Sequence, residues 1–194
     1  MTEPGKAVRL AVIDMQNVFG DPTSPWFTPR FAEVVQPITD LVDAFTTFGQ
    51  GVTFTRFVAP AVPQGAWRSY YQRWPFALQP PQSPIYRLVE EFEGRSCPTV
   101  DATTFGKWDA GLDAQVPSGE LVIAGVSTDC CVISTALAAA DAGVHVQVVG
   151  DACAGVDDDS HRQALHVMGL YGPLIEVVSR EQVIDQLGQD HSPT

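Results

Sequence analysis

The chain has 194 residues, 45% of them hydrophobic, and a net charge of −12 with only 11 Lys and Arg. That length predicts one domain with a substantial core. The acidic balance argues against nucleic acid and anionic membrane as partners, and no apolar run approaches a membrane span.

Val8 to Ile13 reads as a buried strand that ends in Asp14. Ile38, Leu41, Val42, Phe45 and Phe48 recur at helical spacing, which predicts a helix over 34–48 with Pro37 in its first turn. Val52 to Val58 is a second strand, and the stretch from Ala59 to Pro84, rich in proline and aromatics, reads as irregular. A short helix is expected over 85–92, a weak strand at Thr99-Val100 and a short helix over 112–116. A strand at Leu121 to Ala124 follows, then a helix from Val132 to Ala142 closed by Gly143. The last elements are a strand over 144–149, a helix over 161–170, a strand over 174–178 and a small helix over 181–187 before a frayed end, 188–194. Strands alternate with helices, and the strands are short continuous apolar runs. That pattern predicts an α/β domain over residues 1–194, a parallel sheet covered on both faces.

The start, Met1 to Lys6, has no apolar signal region, and Cys97, Cys130, Cys131 and Cys153 make no disulfide framework. The expectation is a cytoplasmic protein with reduced thiols. No CxxC pair is present and the four His are scattered, so no metal is expected. GxGxxG and the P-loop are absent, so no cofactor is expected either.

Cys131 stands at a strand-to-helix junction, in Gly125-Val126-Ser127-Thr128-Asp129-Cys130-Cys131-Val132. A thiol in the first turn of a helix faces the positive end of its dipole, which favours thiolate. The bland alternative is a pair of small buried packing residues. A nucleophile needs a base or a cation. Asp14, at the mouth of a buried strand, is a candidate base with raised proton affinity; a helix-capping carboxylate is the competing reading. The chain has two lysines, Lys6 in the loose-looking start and Lys107, so Lys107 is the one available to a site. A solvated surface lysine is its ordinary alternative. All three residues follow predicted strands, and ligands of such sheets bind beyond the carboxyl ends of strands. Backbone N–H groups at the start of the helix, including that of Cys131, could hold an oxyanion.

Ala11-Val12-Ile13-Asp14-Met15-Gln16-Asn17, the Cys131 segment, and Val149-Gly150-Asp151-Ala152 with His161 and Ala164-Leu165 downstream together resemble the isochorismatase-like cysteine hydrolases. The resemblance implies a three-layer doubly wound sandwich with a six-stranded parallel sheet of order 3-2-1-4-5-6. It implies an Asp14-Lys107-Cys131 triad, with the second of the adjacent cysteines as the nucleophile. It further implies a cis peptide between Val126 and Ser127, an oxyanion hole of the Ser127 and Cys131 amides, and a homo-oligomer, dimer or tetramer. The activity implied is hydrolysis of the C–N bond of a small amide through a thioester.

Two features depart from the family pattern. Phe105 precedes Lys107 and Trp108 opens the next helical region at once, so either a loop is deleted or a position near Ala102 matches the usual lysine. Where the nicotinamidase branch carries Asp-x-His, this chain has Thr55-Arg56-Phe57, which speaks against a catalytic metal. Arg56 could bind a substrate carboxylate or form a structural ion pair. Gln16, Trp26, Trp67, Tyr70 and Trp74 complete the candidate substrate contacts, with a subunit interface as the alternative for the aromatic patches. The competing functions are vinyl ether hydrolysis of the isochorismatase type, against which the thiol counts, and a non-catalytic binding or redox-sensing protein.

Overall fold

The computed structural model describes residues 7–117 and 119–190; Lys6 and the expected frayed residues 191–194 lie outside them. Its six strands are β1 (Arg9–Ile13), β2 (Gly51–Phe57), β3 (Thr99–Ala102), β4 (Glu120–Val126), β5 (His145–Ala154) and β6 (Ile175–Val178). Every neighbouring pair is parallel, in the order β3-β2-β1-β4-β5-β6. Among the described residues the α-helices are α1 (Asn17–Gly20), α2 (Phe31–Thr47), α3 (Trp67–Arg73), α4 (Ile133–Asp141), α5 (Asp158–Gly169) and α6 (Arg180–Asp190).

Alternate side chains of each strand point to opposite faces, and both faces are covered. Leu10 and Val12 of β1 pack in a cluster with Ile38 and Phe45 of α2 and Leu187 of α6. Ala11 and Ile13 pack in a second cluster with Ala136 and Ala139 of α4 and Met168 of α5. That is why β1 is a continuous apolar run. No described helix is long and apolar enough to cross a membrane.

Several local expectations are corrected. Helix α2 starts at Phe31, and Pro37 lies inside it. Burial of Phe31 and Val34 extends the apolar stripe by a turn and outweighs the hydrogen bond that proline forgoes. The stretch read as irregular contains α3. The helix expected over 85–92 is a 3-10 turn at Pro84–Tyr86, after which Leu88 bridges to Gln16 in extended form. The helix expected over 112–116 is a second short 3-10 turn, Asp113–Gln115. Strand β5 runs on to Ala154. At the end expected to fray, α6 continues through Gly188 to Asp190.

The strand order reverses between β1 and β4, so the chain leaves the sheet in opposite directions there. Gly125 makes this junction possible. Its φ is +122°, and a Cβ there would stand 2.2 Å from the carbonyl oxygen of Ile13. Gly125→Ala should therefore cost at least ~2 kcal/mol, because an L side chain meets both a forbidden conformation and a backbone atom. Urea denaturation followed by circular dichroism measures it.

Candidate active site

Asp14 follows β1 with φ 50°, a left-handed conformation that Asp tolerates better than most residues. Its side chain is held from two sides. The Thr55 hydroxyl donates to Asp14 Oδ1 at 2.7 Å and accepts from the Asp14 amide at 3.2 Å. Lys107 Nζ stands 2.8 Å from Asp14 Oδ2, with both side chains 0% exposed. Lys107 also donates to the Thr104 carbonyl at 3.2 Å and lies 5.2 Å from the Phe57 ring centroid, a cation–π distance.

Cys131 lies in a π-turn, Thr128–Val132, between β4 and α4. The Val126–Ser127 peptide that leads into the turn is cis. Thr135, one turn on, donates its hydroxyl to the Cys131 carbonyl at 2.7 Å. The same hydroxyl accepts from the Lys107 amide at 3.1 Å. One buried threonine thus ties the backbone of the thiol to that of the lysine. Ahead of the thiol, Asp129 Oδ1 accepts from the Ser127 hydroxyl and from the Val156 amide, at 2.7 and 2.8 Å. Thr128 pairs with His161 Nδ1 at 2.8 Å. These contacts pin the turn to the start of α5.

Electrostatics modify the expected thiolate. The contact with the Cys130 sulphur and burial both hold the proton on Cys131, and its pKa stands well above that of a free thiol. Lys107 pulls the other way and Asp14 opposes ionisation. The short π-turn does not offset burial and the Cys130 contact, which together favour the neutral Cys131 thiol. Burial also works against the Lys107 charge, yet Asp14 and the thiols outweigh it and raise the lysine above its ordinary value.

A cavity of about 240 Å³ opens over the thiols. Pro25 to Thr28, from the loop after α1, line it together with Tyr70 of α3, Trp74 just beyond that helix, Phe57 and Phe105. Ser127, Cys130, Cys131 and the exposed Val156 complete the lining. Trp26, Tyr70 and Trp74 line it as candidate contacts; three others do not. Gln16 is 0% exposed, and its amide donates to the Phe57 and Tyr86 carbonyls and accepts from the Phe57 amide. Those backbone groups saturate it. Arg56 makes a two-pronged pair with Asp101, at 2.7 and 2.5 Å, beside a different depression. Trp67 packs on Phe57, Phe105, Tyr70 and Tyr71, behind the wall.

Neither Thr55 nor Thr135 stands out from the sequence as a site residue. Thr55 had a weak signal, as one of two buried hydroxyls, with Thr53, in β2. Thr135 had another, four residues after Cys131, where Thr bonds the i−4 carbonyl. Among the described residues no group of three or more His, Cys, Asp or Glu could hold a metal ion. All four cysteines are free.

The family model of the isochorismatase domain matches residues 9–182. The chain belongs to the isochorismatase family. Solved structures of similar fold include a cysteine hydrolase from Pseudomonas syringae pv. phaseolicola 1448A, 22% identical, with a TM-score of 0.85 over 98% of this chain and 100% of that one. A pyrazinamidase of Pyrococcus horikoshii in complex with zinc is 21% identical, with a TM-score of 0.73 over 91% of this chain and 99% of its own. An N-carbamoylsarcosine amidase from Thermoplasma acidophilum is 20% identical, with a TM-score of 0.72 over 90% and 97%. A comparison with curated protein sequences finds no match. The doubly wound sheet of this family member has the order that the motif resemblance implied.

The raised Lys107 pKa has a definite sign. The folded chain binds that proton more tightly than the unfolded chain, so the stabilisation is present below the ordinary lysine value and disappears as pH climbs past the folded one. Lys107→Met, which strands a buried carboxylate, should be less stable at neutral pH by ~3–5 kcal/mol. The gap between it and wild type should shrink above about pH 10.4. Denaturant midpoints across that range provide the check.

Proposed function

We propose that the protein is a cysteine hydrolase that cleaves the C–N bond of a small amide through a thioester. What supports this reading is the buried Lys107–Asp14 pair, near enough for both charges to bear on the ionisation of a buried Cys131 that lines the cavity. A neutral thiol is a poor nucleophile, and a carboxylate that can take its proton makes it a good one.

In this reading the Cys131 proton passes to Asp14 as sulphur attacks the substrate carbonyl carbon. The amides of Ser127 and Cys131 hold the oxyanion. The neighbouring amides of Cys130 and Val132 are already committed to the Ser127 carbonyl, each at 3.1 Å. The intermediate collapses, the C–N bond breaks, and Asp14 protonates the departing nitrogen. Water then attacks the thioester as Asp14 takes its proton. The acid leaves and the proton returns to sulphur. Lys107 stays charged throughout and keeps Asp14 an acceptor in the resting site. Two proteins of similar structure, a pyrazinamidase and an N-carbamoylsarcosine amidase, agree with amide chemistry on this fold.

Ammonia release from a panel of small primary amides tests the proposal. Cys131→Ala and Asp14→Asn should each lower the rate at least ~10³-fold, since a nucleophile and its base act as one unit. Cys97→Ser, a thiol outside the cavity lining, should retain it. Full activity in Cys131→Ala would overturn the reading.

A further inference from the structure

We infer that the cavity admits an uncharged substrate with a flat or compact apolar acyl group and rejects one that carries a carboxylate on that group. This rests on the hydrolase reading above and concerns which substrates that site accepts.

The wall is aromatic and braced. Trp26 stacks on Phe19 with ring centroids 6.1 Å apart, and meets Phe57 and Trp74 at 5.7 and 6.2 Å in edge-on geometry. Rings locked in this way present flat, apolar faces and do not reorganise around a charge. The volume of about 240 Å³ is below the roughly 300–1,000 Å³ of sites for drug-sized ligands, which limits the acyl group to about a single ring or a short chain.

Charge complementarity for an anion is missing. Among the described residues, no Arg, Lys or His lines the cavity. Lys107, buried beneath it, is paired with Asp14. Arg56, the sequence's candidate for a substrate carboxylate, is paired with Asp101 and lines another depression. The remaining polar groups suit a neutral amide. They include the hydroxyls of Thr28 and Tyr70 and the indole N–H groups of Trp26 and Trp74, and burial pushes the Tyr70 phenol upward so that it keeps its proton. A carboxylate placed here would lose its water and gain no cation, beside a chain of net charge −12. A neutral acyl group loses nothing of the kind.

The test separates binding from turnover. With Cys131→Ala, quenching of tryptophan fluorescence reports binding of matched pairs: benzamide against para-carbamoylbenzoate, and butyramide against succinamate. The neutral member of each pair should bind at least about tenfold more tightly. Val156→Arg, which places a cation at the exposed rim, should narrow that gap. Equal or tighter binding of the carboxylates, or no binding of either neutral amide, would overturn the inference. Selective binding of neutral amides that wild type fails to cleave would sustain it and overturn the hydrolase reading instead.

Discussion

Taking an ammonium and a carboxylate out of water is costly, and neither would stay charged alone in this interior. The 2.8 Å pair of Lys107 and Asp14 makes both tolerable, and much of the surrounding architecture serves that pair. Thr55 holds the carboxylate from β2, and the Thr104 carbonyl accepts a hydrogen bond from the lysine. Phe57 offers its ring to the ammonium. Thr135 then couples the lysine backbone to that of Cys131. Charge and thiol are positioned by hydrogen bonds from three different segments, so the site depends on the whole sheet edge and not on one loop.

The sheet brings these segments together. Asp14 ends β1 and Cys131 follows β4, its hydrogen-bonded neighbour. That adjacency follows from the doubly wound order, and its parts were legible as short apolar runs, each ending in a chemistry-bearing residue. Cys131, Asp14 and Lys107 could be nominated because few alternatives existed: no other described lysine is present, and the thiol sits at an obvious junction. What could not be read was pairwise. That Gln16 saturates backbone groups of Phe57 and Tyr86, or that Arg56 meets Asp101, depends on contacts between residues more than forty positions apart. Periodicity sees one element at a time.

The same limit explains the thiol. Position at a helix start argued for thiolate, but the local argument omitted the enclosing protein. Full burial, the Cys130 sulphur and Asp14 all disfavour the anion. The proposed mechanism therefore transfers a proton at the moment of attack and does not call on a standing thiolate. The aromatic wall contributes by excluding water, which strengthens each electrostatic contact beneath it.

The most direct measurement is rapid acid quench of the enzyme during turnover of an amide, followed by mass spectrometry of the peptide that contains Cys130 and Cys131. The account predicts an added acyl group on Cys131 that accumulates and decays with turnover. Turnover with no acyl adduct, or with the adduct on Cys130, would contradict it.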